Sequence, residues 1–242
     1  MPSPPRHLTG AVVVVGDEIL SGKVAEANLA QLIPMLRAEG VELRRVAIIP
    51  DHLEAIAEEV ARCAALHDVV ITSGGIGPTH DDLTVAGVAR AFQVPVVRDA
   101  ELERLIRHLW GERLTDAALR LADVPAGARL LPGDDGLLPL VVVHNVYLMP
   151  GVPALFQRKL ATLRRELGGG SPPALLTVTL AAEETAIAAT LAAVAKAFPE
   201  VAIGSYPQGR ATVWVTFEGR DLHQVDQARR RLVELLSPGM VV

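Results

Sequence analysis

The chain has almost no cysteine and few aromatics. Cys63 is the single cysteine in 242 residues, and only 3% of residues are aromatic. One thiol excludes a disulfide framework and any multi-thiolate zinc site. It also gives no sign of an oxidising compartment, so the cytoplasm is the expected location. Lysine is scarce: Lys23, Lys159 and Lys196 stand among 23 basic residues, against 28 acidic ones, and the formal net charge is −5. Binding to a phosphate backbone calls for a basic surface, so nucleic acid is not an expected partner. Long apolar runs are missing too. Ala11–Val15 and Leu137–Val143 fall short of the roughly 18 residues that a membrane span needs. The first ten residues hold Pro2, Pro4 and Pro5 and no apolar stretch of a signal peptide.

Half the residues are apolar, enough to build a core rather than a disordered chain. Residues 1–9 read as a loose polar tail. Ala11–Val15 reads as a strand buried on both faces. A helix is expected over 24–39, where Leu29, Leu32, Ile33 and Leu36 share one face and Gly40 stops the helix. A strand follows at 43–49, a helix at 52–66 and a strand at 69–72. A glycine-rich turn then feeds a helix over 81–91. Further helices are expected at 99–110, 116–122 and 152–167, with strands at 138–143 and 146–149. This alternation predicts an α/β fold with a mainly parallel sheet between two helical layers.

Gly168–Pro173 is the sharpest break in composition and reads as a linker. Beyond it, residues 174–242 read as a small α+β domain: strand, helix, two strands joined by a hairpin, and a terminal helix. The expected organisation is therefore a tail (1–9), an α/β domain (10–167), a linker (168–173) and an α+β domain (174–242).

Parallel strands deliver their C-terminal ends to one edge, where open α/β sheets bind ligands. The first strand runs into Asp17 and Glu18, the second into Pro50 and Asp51, and the third into Asp81 and Asp82. Three acidic clusters at one edge could hold a hard divalent cation through oxygen ligands. Two of these acids also have a structural reading. Asp51 followed by Glu54 fits a helix N-cap, and Thr79-x-x-Asp82 fits a capping box. The segment Ser73-Gly74-Gly75-Ile76-Gly77-Pro78-Thr79 lets backbone approach a ligand closely, and the following helix start offers amides to a phosphate. Its spacing matches neither a dinucleotide-binding G-x-G-x-x-G nor a P-loop. No His-Glu-x-x-His or Gly-x-Ser-x-Gly occurs. His80 reads as an exposed loop residue, Cys63 as packing, Arg229–Arg231 as a solvated face, and Tyr206 and Trp214 as core or interface.

Three motifs carry a resemblance. They are Gly16-Asp17-Glu18-Ile19-Leu20 with Asn28, the block Thr72–Thr84, and Met149-Pro150-Gly151-Val152-Pro153. Together they resemble the molybdopterin-binding domain family, in particular the N-terminal domain of competence/damage-inducible protein A and the matching domain of eukaryotic FAD synthase. The likeness covers about residues 10–167, and Ile203-Gly204-Ser205-Tyr206-Pro207 extends it. The resemblance implies a three-layer fold with its site at the glycine loop. It implies a phosphorylated small molecule, nucleotide or pterin, as partner. It implies a divalent cation (magnesium, manganese or cobalt) and hydrolysis of pyrophosphates such as FAD or ADP-ribose. Asp82 and Asp51 would be catalytic, with Glu18 joining them at the metal. Ser73, Gly74, Gly75, Gly77, Pro78, Thr79, Asn28, Pro150 and Gly151 would bind the ligand. The alternative is a non-catalytic binding protein for molybdopterin or a nucleotide phosphate. Relatives of this fold self-associate, so a homo-oligomer is expected. Two stretches depart from the family pattern. Ala118–Pro125 lacks the polar Asn and Gln of competence-type relatives, and Gly136–Leu140 replaces their Gly-Thr-Ala-Pro-Gly.

Overall fold

Val12, Val13, Val14 and Val15 alternate between two faces of one strand, and both faces are buried. In the computed structural model, which describes residues 8–133, 136–168, 170–237 and 239–242, this strand is β1 (Leu8–Val15). It is followed by α1 (Asp17–Leu20), α2 (Leu29–Ala38), β2 (Val41–Ile49), α3 (Leu53–Leu66), β3 (Val69–Ser73) and α4 (Thr84–Ala91). Next come β4 (Val96–Arg98), α5 (Ala100–Trp110), α6 (Asp116–Leu119), β5 (Asp123–Pro125), β6 (Arg129–Leu131), β7 (Leu140–Val143), β8 (Val146–Met149) and α7 (Pro153–Leu167). The last elements are β9 (Ala174–Leu180), α8 (Glu184–Ala197), β10 (Ala202–Pro207), β11 (Val213–Gly219) and α9 (Leu222–Leu235). The chain divides into two compact units, Met1–Ser171 and Pro172–Val242.

In the first unit six strands form one sheet in the order β2-β1-β3-β8-β7-β6. β2, β1, β3 and β8 run parallel, β7 pairs antiparallel with β8, and β6 pairs antiparallel with β7 and so runs with the parallel strands. On one face Val12 and Val14 pack with Leu32 and Leu36 of α2 and Phe156 and Leu163 of α7. On the other, Val13 and Val15 pack with Ile56, Val60 and Cys63 of α3 and Val88 of α4. The expected three-layer α/β architecture is present. The chain goes from β1 to β2 on one side and crosses to β3 on the other, so the order reverses at β1, which is where ligands bind in such sheets. A separate cluster of Leu102, Ile106, Ala118, Leu119, Ala122 and Val124 holds α5, α6 and the β4–β5 ribbon together as a lobe.

In the second unit β10, β11 and β9 form an antiparallel sheet. Val213, Val215 and Phe217 face the helices α8 and α9 and are buried. Tyr206 and Trp214 are cross-strand partners on the opposite face and are 53% and 48% exposed. Neither is core, because the two-residue alternation of β11 turns Trp214 away from the side that Val213 and Val215 occupy.

Several boundaries differ from expectation. Residues 1–7 of the expected tail lie outside the described residues, and Leu8 and Thr9 belong to β1. Gly169 of the expected linker also lies outside them. The first long helix starts at Leu29, not 24. Its first free amides are taken by Glu26, whose carboxylate accepts from Asn28 N and Leu29 N. The helix after the glycine loop starts at Thr84, not 81. The short elements α1, β4, β5 and β6 carry too few residues to show a period.

Candidate active site at the sheet edge

The order β2-β1-β3-β8 sets four strand ends side by side. Val15 pairs in register with Ile49. Asp17 and Asp51 each lie two residues further on, so their loops meet. Asp51 Oδ2 accepts the Asp17 backbone N–H at 2.8 Å. Asp51 is therefore not the N-cap of α3. His52 holds that position, and no side chain caps it. Burial pushes the Asp51 carboxyl above its ordinary pKa, the Asp17 N–H opposes this, and Glu18, Asp17 and Asp81 push it further up. Asp51, Glu18, Asp17 and Asp81 thus make an acidic corner.

β3 ends in the glycine loop. Gly74 sits at φ +100, a left-handed conformation that favours glycine, and a Cβ there would strike the Val15 carbonyl. Gly74 N donates to Met149 O at 3.1 Å, and Thr84 closes the loop base through Gly75 O and Gly74 O. Asn28, only 5% exposed, ties three motifs together. Its Nδ2 donates to Ser73 Oγ at 3.0 Å and to Gly151 O at 2.9 Å. The carbonyl acceptor at Gly151 fixes the amide orientation, which leaves the buried Oδ1 without a hydrogen-bond partner among the described residues.

Asp82 turns back into the loop. Its Oδ1 accepts Gly77 N at 2.7 Å, and its Oδ2 accepts Thr79 N at 2.8 Å and the Thr79 hydroxyl. This is half of the expected capping box, but no helix begins at Thr79, and the N-cap of α4 is Leu83. Two loop amides expected to bind a phosphate are therefore occupied by a carboxylate of the same chain.

Beside the loop lies a cavity of about 1000 Å³. Gly77, Pro78, Thr79, Asp82, Pro150 and Gly151 line it; Glu18, Asn28, Asp51, Ser73, Gly74 and Gly75 do not. The rest of its wall is largely apolar and comes from the α5–α6 lobe, from Leu137–Leu140 and from α7. The sequence reading missed Trp110, Arg113, Arg120 and Lys159, which also line it. No short motif marks them. Lys159 offered one signal, a lysine on the apolar stripe of a helix. It is 7% exposed, and its ammonium donates to Leu138 O.

Among the described residues, no three carboxylate, imidazole or thiolate groups converge to hold a metal ion. The expected cation fits the donor set in one respect. The acidic corner gathers oxygen donors around Asp51, whose pKa is raised by burial and then by these neighbours, and magnesium is commonly held by one or two carboxylates plus substrate phosphate. Asp82 fits less well, because both of its oxygens are engaged.

Comparison with known proteins bears on this edge. Residues 11–167 match the family model described as a probable molybdopterin binding domain, and residues 173–242 match the FAD synthase middle domain. A protein of Archaeoglobus fulgidus is 34% identical over 226 residues, covering 93% of this chain and 97% of the relative. A probable FAD synthase of Caenorhabditis briggsae is 31% identical over 263 residues, covering 96% of this chain but 50% of the relative. Among solved structures, CinA from Thermoplasma acidophilum superposes with a TM-score of 0.61 at 29% identity, covering 66% of this chain and 99% of that one. The chain belongs to the probable molybdopterin binding domain family and carries a second segment similar to the FAD synthase middle domain.

Proposed function

We propose that this chain is a pyrophosphatase dependent on a divalent cation and acting on FAD- or ADP-ribose-type dinucleotides. One observation carries the reading. A cavity large enough for a nucleotide opens on the glycine loop and Asp82, and at the same sheet edge, outside the cavity wall, stands Asp51, its pKa raised by burial and then by Glu18, Asp17 and Asp81. The Asp17 N–H orients the Asp51 carboxylate. Asp51 is suited to accept the proton of an attacking water. The water oxygen bonds to one phosphorus, the bridging P–O bond breaks, and two phosphate monoesters leave. Magnesium, manganese or cobalt, held by Asp51 and Glu18 with phosphate oxygens, would neutralise phosphoryl charge and lower the pKa of its bound water. Asp82 holds Gly77 and Thr79 in place and so shapes the loop wall that meets the phosphates. A homo-oligomer in the cytoplasm remains part of the proposal. No helix among the described residues is long and apolar enough to cross a membrane.

A second reading, ligand binding without turnover, is favoured by the commitment of both Asp82 oxygens to the loop, with no three-residue metal set among the described residues. The test incubates the protein with FAD, ADP-ribose and NAD, each with magnesium, manganese or cobalt. AMP should form from FAD or ADP-ribose only when a cation is present. Asp51→Asn should lower the rate by about 100-fold or more, the scale of a lost general base, and Asp82→Ala should abolish it. Saturable binding with no product under any cation would establish the second reading instead.

A further inference from the structure

We propose that the α5–α6 lobe supplies the recognition end of the cavity: Trp110 stacks on a planar ring of the ligand, and Arg113 and Arg120 take its phosphates. This rests on the reading that the cavity holds a phosphorylated small molecule, and it does not require turnover.

Size is the first argument. A cavity of about 1000 Å³ is at the upper end of small-molecule sites, which run from about 300 to 1,000 Å³. A phosphate alone leaves most of it empty, so the ligand has a body. The second argument is the wall. It is largely apolar, and Trp110 is the one aromatic among its lining residues. Trp110, half-buried at the end of α5, packs against the apolar cluster of the lobe and lines the cavity, and an indole stacks on rings of any hydrogen-bonding pattern.

Charge is the third argument. Arg45, Arg98, Arg107 and Arg129 all carry carboxylate partners. Arg113 and Arg120 line the cavity and have none among the described residues. Guanidinium groups of this kind suit phosphate, which they bind with two parallel hydrogen bonds. Arg120 lies beside the glycine loop, with Nη1 3.5 Å from Pro78 O. The fourth argument is the state of the loop. The Gly77 and Thr79 amides already serve Asp82, so phosphate needs other donors. The start of α4 adds to the arginines. Val85 and Ala86 line the same cavity, their amides have no acceptor within the helix, and no side chain caps that end. Trp110, Arg113 and Arg120 fall within one short stretch of chain, outside every motif that defines the sheet edge.

The test is calorimetric titration of the full chain with ADP-ribose, FMN and inorganic pyrophosphate. Trp110→Leu should weaken ADP-ribose or FMN about tenfold, the scale of one lost stacking contact, and leave pyrophosphate unchanged. Trp110→Phe should restore most of the loss. Arg113→Gln and Arg120→Gln should each weaken all bound ligands and flatten the salt dependence. The ligand that loses most in Trp110→Leu distinguishes an adenine ring from a flavin. Contact is read directly in Trp214→Phe, where Trp110 is the single tryptophan left of two. Saturating ADP-ribose should quench its emission, and pyrophosphate should not. Equal weakening of ring-bearing and ring-free ligands by Trp110→Leu overturns the proposal, as does no weakening at all. So does failure of the wild type to bind either ring-bearing compound. Binding that behaves as expected without AMP release overturns only the pyrophosphatase reading.

Discussion

Asp51 is held where a carboxylate is disfavoured, and this has a consequence for stability as well as chemistry. Its folded pKa lies above the ordinary value because of burial and the neighbouring Glu18, Asp17 and Asp81. The folded state therefore binds the proton more tightly than the unfolded chain. The linked stability is fully present below the ordinary carboxyl pKa and is lost as pH rises through the raised one. At neutral pH the ionised Asp51 is a local cost. Asp51→Asn keeps an acceptor for Asp17 N–H and removes the charge. It should raise the melting temperature at pH 7.5 by about 2 °C, with the gain vanishing below about pH 4, while activity falls. Millimolar magnesium should stabilise the wild type and not this variant. A variant that melts lower at pH 7.5 would refute the account. The Asp82 carboxylate, by contrast with Asp51, has its oxygens satisfied by two amides and a hydroxyl of its own loop. The pairing of aspartate with glycine loop was visible in the sequence. Its direction was not, because a carboxylate three residues from Thr79 can cap a helix or close a loop with the same spacing.

α3 shows how an element carries a residue that invites a functional reading and denies it. Cys63 lies on the apolar face with Ile56 and Val60. Burial, with the Glu59 carboxylate beside it, pushes its thiol up to about 11. The thiolate is the reactive form, so at pH 8 about one molecule in a thousand is reactive. Labelling of the native protein by a disulfide reagent at pH 8 should be slower than that of the urea-unfolded chain by at least about 100-fold. Labelling at the unfolded rate would contradict the buried site. The amphipathic period of α3 and the all-apolar run of β1 were legible because each is set by neighbours in the chain. The late start of α2 was not. It depends on Glu26 and on Asn28 reaching Ser73 and Gly151, residues 45 and 123 positions away.

The two units each have their own buried cluster. Phe156 lies in the first and Phe217 in the second, both fully buried. Such clusters support separate cooperative transitions. Phe217→Ala should cost the second unit about 3–5 kcal/mol and leave the melting of the first in place. Calorimetry showing both transitions lowered together would argue for one cooperative unit. At this scale the sequence determined a great deal by itself. It carried the strand–helix alternation, the change of pattern near residue 170 and the delivery of acidic loops to one sheet edge, since all follow from local periodicity and the rule that parallel strands end on one side. Only the tertiary structure decided that Asp51 faces Asp17 through the pairing of Val15 with Ile49. It also decided that Asp82 fills its own loop, and that Trp110, Arg113 and Arg120 wall the cavity. These contacts depend on strand order and on how the α5–α6 lobe packs. Residues far apart in the chain meet there through burial of apolar surface, which has no signature in any short stretch of sequence.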